Sequence, residues 1–218
     1  VDANDDMELL DFGYSQSKWV ADQVVLDAIE KGLNARIFRP ALISPSIHGE
    51  GYNFDISIRL LVFMIQNSIG TTAKNQVSFT PADLAANNIV AISNLEESLN
   101  KTFHVTRDEY SSMKEVTDIL SELAEVQFEN FDLDSFVPEV VARCGKDDLL
   151  FPLLNFLVKS VDNISAMEFK RYDNSNYIKF RNASTWGKQD PSLQEVVGGI
   201  YKFILRHNLY QPKQIMKL

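Results

Sequence analysis

Tyr14 and Lys18 stand four positions apart in the segment GYSQSKWVAD, with small polar residues between them and Trp19 directly after. On a helix, positions i and i+4 lie one above the other, so the phenol and the ammonium share a face. The free groups titrate near about 10 and about 10.4. A neighbouring positive charge favours the phenolate, so the lysine would draw the tyrosine toward working pH and make it a usable proton donor or acceptor. The same spacing also arises in ordinary amphipathic helices, as a solvated pair or a lysine lying over an aromatic ring. The surroundings must decide.

Those surroundings read as an αβ crossover. From Tyr14 to Lys31, Val20, Val24, Val25, Ala28 and Ile29 recur at helical spacing, and Gly32 is placed to end the helix in a left-handed turn. NARIFRPALIS then runs β-branched and aromatic, with Pro40 marking its exit. A loop rich in Ser, Pro and Gly follows over 44–53, and a second helix is expected from Asp55 to Gln66. QVSF reads as a short strand, and TPADLAANNIVAIS as a helix with Thr80 as N-cap and Pro81 at the first helical position. KTFHV is the next strand. Beyond residue 107 helical patterns dominate, at 112–125, 133–143, 147–160 and 192–208, with the polar stretch RYDNSNYIKFRNAS between the last two. The expected fold class is α/β: the trailing part of an α/β layer over 1–107 and a mainly helical lobe over 108–218.

Composition narrows the function. The 218 residues hold 30 acidic and 21 basic side chains, a net charge of −9, which argues against a sequence-independent nucleic-acid partner. Cys144 is the single cysteine, so no intramolecular disulfide forms and a reducing compartment is expected. His48, His104 and His207 lie far apart with no ligand spacing, and no metal site is expected. The apolar stretches IRLLVFMI and LLFPLLNFLV are too short to span a bilayer, so a cytoplasmic protein without a membrane partner is expected. The polar opening VDANDD, without Met, reads as cut from something longer.

GYSQSKWVAD, with a helix behind it and ARIFRPALIS some twenty residues on, resembles the extended branch of the short-chain dehydrogenase/reductase superfamily. Within it the chain is most similar to the thioester reductase domains that terminate nonribosomal peptide and polyketide assembly lines, and to carboxylic acid reductases and aminoadipate reductases. The segments FRPALIS, YNFD, TPADLAANNIV and KTFHV extend the resemblance, which weakens past residue 107. It implies a Rossmann-like core over 1–107 and a substrate lobe over 108–218. It implies Tyr14 as the acid that protonates the carbonyl oxygen as hydride arrives, and Lys18 as the residue that holds the nicotinamide ribose and lowers the tyrosine pKa. Pro40, Ala41, Leu42 and Ile43 would border the nicotinamide. The implied cofactor is NADPH, and the implied partner an acyl or peptidyl carrier protein bearing a phosphopantetheine thioester. The product would be an aldehyde, or an alcohol after a second reduction.

The sequence departs from that family in two respects: the catalytic Ser or Thr that the resemblance implies upstream of Tyr14, on a strand end, is not in this chain, and the Gly-rich loop is missing. No G-x-G-x-x-G or G-x-x-G-x-x-G occurs, although such a loop cradles the pyrophosphate at a helix N-terminus in these folds. The expectation is a C-terminal portion whose dinucleotide-binding half is removed or on a separate polypeptide, with the upstream reductase half of the same parent protein as its partner, and which is inactive alone. Isothermal titration of the 218-residue chain should show no micromolar affinity for NADPH; such an affinity would overturn the expectation.

Other residues have two readings. Asn53 and Asp55 either line a substrate entrance or cap the helix at 55, and His48 either closes over a pantetheine arm or is solvated. Asp83 is expected to favour its helix dipole, His104 to be a hydrogen-bonded structural histidine, Trp19 to pack, and Cys144 to mark a helix end. Tyr172, Tyr177, Phe180 and Trp186 either pack the terminal lobe or border an acyl channel. Two other functions keep the same residues: a fragment acting on fatty acyl-CoA or a nucleotide-sugar, and a non-catalytic carrier-protein docking module in which Tyr14 and Lys18 are inert.

Overall fold

The computed structural model describes residues 13–166 and 171–211. They form two compact units, each assembled from separated stretches of chain.

The first unit takes 13–41, Ala85–Thr106 and Tyr172–Lys188. Helix α1 (Gly13–Glu30) ends as its sequence demands: Gly32 has φ +97°, its N–H donates to the Ile29 carbonyl at 2.9 Å, and Leu33 N–H donates to Ala28 at 2.9 Å. Strand β1 (Ile37–Pro40) pairs in parallel with β6 (Thr102–Val105), Ile37 opposite Thr102 and Arg39 opposite His104. Phe38 stacks on Phe103 at 5.1 Å, and Phe180 meets Phe103 edge-on at 5.5 Å from helix α7 (Ser175–Ala183). Tyr177, on the same helix, is buried with its hydroxyl accepting from Asn88 Nδ2 at 2.8 Å. Asn88 lies on helix α3 (Ala82–Ser93), where its Nδ2 donates to the Lys188 carbonyl and its Oδ1 accepts from Lys188 N–H. Of the two readings open for the terminal aromatics, Tyr177 and Phe180 therefore pack, whereas Trp186 is exposed.

The second unit takes 42–84, 107–166 with Arg171, and 189–211. At Ala41 the extended run changes partner: β2 (Leu42–Ser44) pairs in parallel with β5 (Phe79–Pro81). Strand β3 (Ile69–Thr71) lies parallel to β8 (Glu129–Phe131), and the two-residue β4 (Gln76–Val77) is antiparallel to β7 (Ser111–Ser112). Around them lie α2 (Ile56–Asn67), α4 (Met113–Ala124), α5 (Leu133–Arg143), α6 (Leu154–Ala166) and α8 (Leu193–Arg206). The apolar faces of α2, α4 and α8 supply the core through Leu61, Ile65, Val116, Leu120, Ile200 and Phe203. Capping boxes start two of these helices, Ser112 with Glu115 on α4 and Ser192 with Glu195 on α8.

Two sequence expectations are corrected, and a stretch left without an element gains a helix. Thr80 does not cap α3: it lies in β5 opposite Ile43, fully buried, and its hydroxyl has no hydrogen-bond partner. Pro81 ends the strand and the helix begins at Ala82, because the strand pairing claims the backbone that a cap would need. The stretch RYDNSNYIKFRNAS contains α7, whose polar residues conceal two buried aromatics a helical turn apart. The helix expected at 147–160 opens instead with a 3-10 turn over Phe151–Leu153, with Pro152 in its first turn. Among the described residues no helix is long and apolar enough to cross a membrane.

Candidate functional site

The first unit holds the tyrosine and the lysine. α1 carries both on one face, and the Lys18 Nζ lies 5.5 Å from the centre of the Tyr14 ring. The Ser17 hydroxyl, one turn on from Tyr14, donates to the Tyr14 carbonyl at 2.7 Å. Tyr14 is 74% exposed and Lys18 is exposed, so neither group is walled off by packed side chains within the unit. Trp19 is half-buried on the adjoining face.

One further turn along the same stripe is Asp22. Its carboxylate accepts two hydrogen bonds from Arg39 on β1, from Nε at 3.0 Å and from the terminal nitrogen at 2.5 Å. This two-point pairing is the strong geometry for guanidinium and carboxylate. The other terminal nitrogen of Arg39 lies 3.3 Å from His104 Nε2, and His104 Nδ1 lies 2.8 Å from the Asp173 carbonyl oxygen. A carbonyl only accepts, so Nδ1 carries the proton and Nε2 is left to accept from Arg39. Burial lowers the His104 pKa, with the Arg39 charge adding to it and the Asp173 carbonyl opposing. The histidine is thus a hydrogen-bonded strut between β1 and the start of the 172–188 segment. Nothing in the spacing of Asp22, Arg39 and His104 announces this, because the three come from a helix and two strands.

Pro40 and Ala41 follow Arg39 in the first unit, Pro40 exposed and Ala41 held by a hydrogen bond from its N–H to the Val105 carbonyl at 3.1 Å. Leu42 and Ile43 belong to the second unit, on β2.

The loop after β2 is built rather than loose. The buried Ser46 is its hub: its N–H donates to the Glu50 carbonyl at 2.9 Å, while its hydroxyl accepts from His48 N–H at 3.2 Å and Glu50 N–H at 3.1 Å. Two glycines let it lie directly on α8. A Cβ on Gly49, at φ +77°, would meet Lys202 Cβ at 2.7 Å, and one on Gly199 would meet the Ser46 carbonyl oxygen at 2.4 Å. His207 Nε2 donates to the Gly51 carbonyl at 3.2 Å. His48 and Asn53 are exposed on this loop. Asp55 caps α2, its carboxylate accepting from Ile58 N–H at 3.0 Å. Asp55→Ala should lower stability by about 1 kcal/mol and Asp55→Ser should recover most of it, read as the urea midpoint; an unchanged midpoint for alanine would deny the cap any energetic weight.

Asp83 is exposed in the first turn of α3, the favourable end of the helix dipole. Cys144 ends α5 as its C-cap, and burial raises its pKa, with Asp148 adding to the effect.

Comparison with known proteins gives this geometry its setting. Residues 2–89 match the NAD-binding family described as male sterility protein. The chain is 27% identical over 157 residues to a non-canonical nonribosomal peptide synthetase of Aspergillus campestris, covering 69% of this chain and 15% of that protein. It is 28% identical over 186 residues to the large subunit of an L-2-aminoadipate reductase of Candida glabrata, covering 82% of this chain and 13% of that one. Among solved structures, the terminal R domain from the myxalamid PKS-NRPS biosynthetic pathway superposes with a TM-score of 0.83 at 21% identity, over 95% of this chain and 53% of that domain. The chain therefore spans a small part of its curated relatives and about half of a solved reductase domain. In sequence it is homologous to part of nonribosomal peptide synthetases and of aminoadipate reductases, and its α/β fold is that of part of a solved terminal R domain.

Proposed function

We propose that the chain is part of an NADPH-dependent thioester reductase that releases an acyl or peptidyl group from a carrier protein as an aldehyde. The observation that supports this best is Tyr14 and Lys18 on one exposed face of α1, within a chain homologous to reductase domains. The residues can meet the cofactor, since Lys18 Nζ lies over the Tyr14 ring, 5.5 Å from its centre, and both side chains are exposed. When bound, the cofactor supplies hydride to the thioester carbonyl.

The chain's own residues do the rest. Tyr14 Oη donates a proton to the carbonyl oxygen, so that charge does not accumulate there, and the resulting hemithioacetal then breaks its C–S bond, releasing the aldehyde and returning the thiol to the carrier's phosphopantetheine. Lys18 binds the ribose hydroxyls. Pro40 and Ala41, in the same unit as Tyr14, border the nicotinamide, as befits a segment that leaves the carboxyl end of a parallel strand. Within the second unit, His48 and Asn53, exposed on the loop after β2, serve the acyl substrate, while Asp55 is taken up as the cap of α2. The partner is a carrier protein presenting a phosphopantetheine thioester, in keeping with relatives that are peptide synthetases.

The test joins this chain to the upstream half of its parent protein and supplies an acyl thioester on a carrier protein with NADPH. Loss of NADPH absorbance with one equivalent of trapped aldehyde is expected. No thioester-dependent oxidation, with the cofactor shown to be bound, would overturn the proposal.

A further inference from the structure

The first unit contains a second set of polar side chains aligned with the proposed catalytic stripe. Tyr14, Lys18 and Asp22 succeed one another at four-residue intervals, so Asp22 continues their face of α1. That helix has no buried residue along its 18 positions. Trp19, Val25, Leu26 and Ile29 are half-buried along it, and the two-point ion pair adds a directional tie to that apolar contact. Asp22 and Arg39 are themselves only 20% and 27% exposed at their side chains, which shields the pair from the screening that makes surface pairs weak. Arg39 cannot swing freely, since His104, its register partner on β6, takes its second terminal nitrogen and is in turn fixed to the Asp173 carbonyl.

Resting on the thioester reductase reading above, we infer that Asp22 and Arg39 are positioning residues: their ion pair sets α1 against β1 and so fixes Tyr14 and Lys18 relative to Pro40 and Ala41. Asp22 lies one turn beyond Lys18, and Arg39 immediately precedes Pro40. The pair joins the helix that holds the proton donor to the strand end that borders the cofactor. His104 acts one step further out, holding the guanidinium in the plane that meets both carboxylate oxygens. A misplacement of about 1 Å can cost on the order of 10²-fold in rate, so a tie of this kind acts on turnover before it acts on folding.

The experiment has two arms. In the 218-residue chain carrying Trp186→Phe, Trp19 is the remaining tryptophan and reports on α1. Asp22→Asn should make Trp19 easier to quench by acrylamide and shift its emission, and the exchange Asp22→Arg with Arg39→Asp should restore both. In the chain joined to its upstream half, Asp22→Asn and Arg39→Lys should lower kcat on the order of 10²-fold and leave KM for the thioester unchanged, with recovery in the exchanged pair. A merely structural role would lower the melting temperature without splitting kcat from KM. Unchanged Trp19 quenching and unchanged kcat in Asp22→Asn, in a protein whose Tyr14→Phe variant is inactive, would overturn the inference alone. If Tyr14→Phe is itself fully active, the reductase reading falls and the Trp19 arm still decides whether the pair positions α1.

Discussion

Tyr14→Phe should lower thioester-dependent NADPH oxidation by about 10²–10⁴-fold, the usual worth of one proton-transfer group. That corresponds to about 3–5 kcal/mol of lost transition-state stabilisation. The substitution is clean because of where the side chain lies. Tyr14 is 74% exposed, so removing its hydroxyl creates no cavity, and stability should stay within about 0.5 kcal/mol. The ring remains for Lys18, whose Nζ lies 5.5 Å from its centre, so the ammonium keeps its place. The change therefore removes a proton and little else. The measurement is kcat and KM on a carrier-bound thioester, with melting temperature as the control. An unchanged rate would remove Tyr14 from the mechanism and return α1 to the status of an ordinary amphipathic helix.

The second expectation concerns two adjacent glycines whose alanine variants should move stability in opposite directions. Gly198 and Gly199 both lie inside α8. A Cβ on Gly198 has nothing within 4 Å, so Gly198→Ala should gain about 0.8–1 kcal/mol from helix propensity alone. A Cβ on Gly199 would stand 2.4 Å from the Ser46 carbonyl oxygen and 2.7 Å from Ile47 Cα, both backbone atoms with no rotamer to yield. Moving them means moving the turn organised on Ser46, whose hydroxyl and N–H hold His48 and Glu50. Gly199→Ala should thus cost about 1–3 kcal/mol, or several degrees in melting temperature for a chain of this size. Thermal unfolding of the two variants side by side checks this. A Gly199→Ala protein as stable as its Gly198→Ala neighbour would mean that the turn is not seated on α8.

Much of the secondary structure follows from local rules. The stop at Gly32, the strands in NARIFRPALIS and KTFHV, and three of the four later helical patterns emerge near their expected places. Turn geometry, β-branching and 3.6-residue periodicity act over a few residues, so they are readable one segment at a time. Local rules fail where a long-range partner takes precedence. Thr80 has the type and position of a cap, yet pairing with β2 draws it into a buried strand. Helix α7 is polar in composition and is organised by Tyr177 and Phe180 against residues some 75 to 90 positions away.

By itself the sequence determined that Tyr14 and Lys18 share a helical face, that this helix feeds a parallel strand, and that the chain resembles a reductase family. A four-residue spacing and a few apolar runs suffice for that, since helix geometry is the same in every protein. Only the tertiary structure decided that Asp22, Arg39 and His104 meet, and that Gly199 lets the Ser46 turn rest against α8. Those are contacts between segments far apart in the chain. Their distances depend on how strands and helices pack, a quantity that no local pattern of residue types encodes.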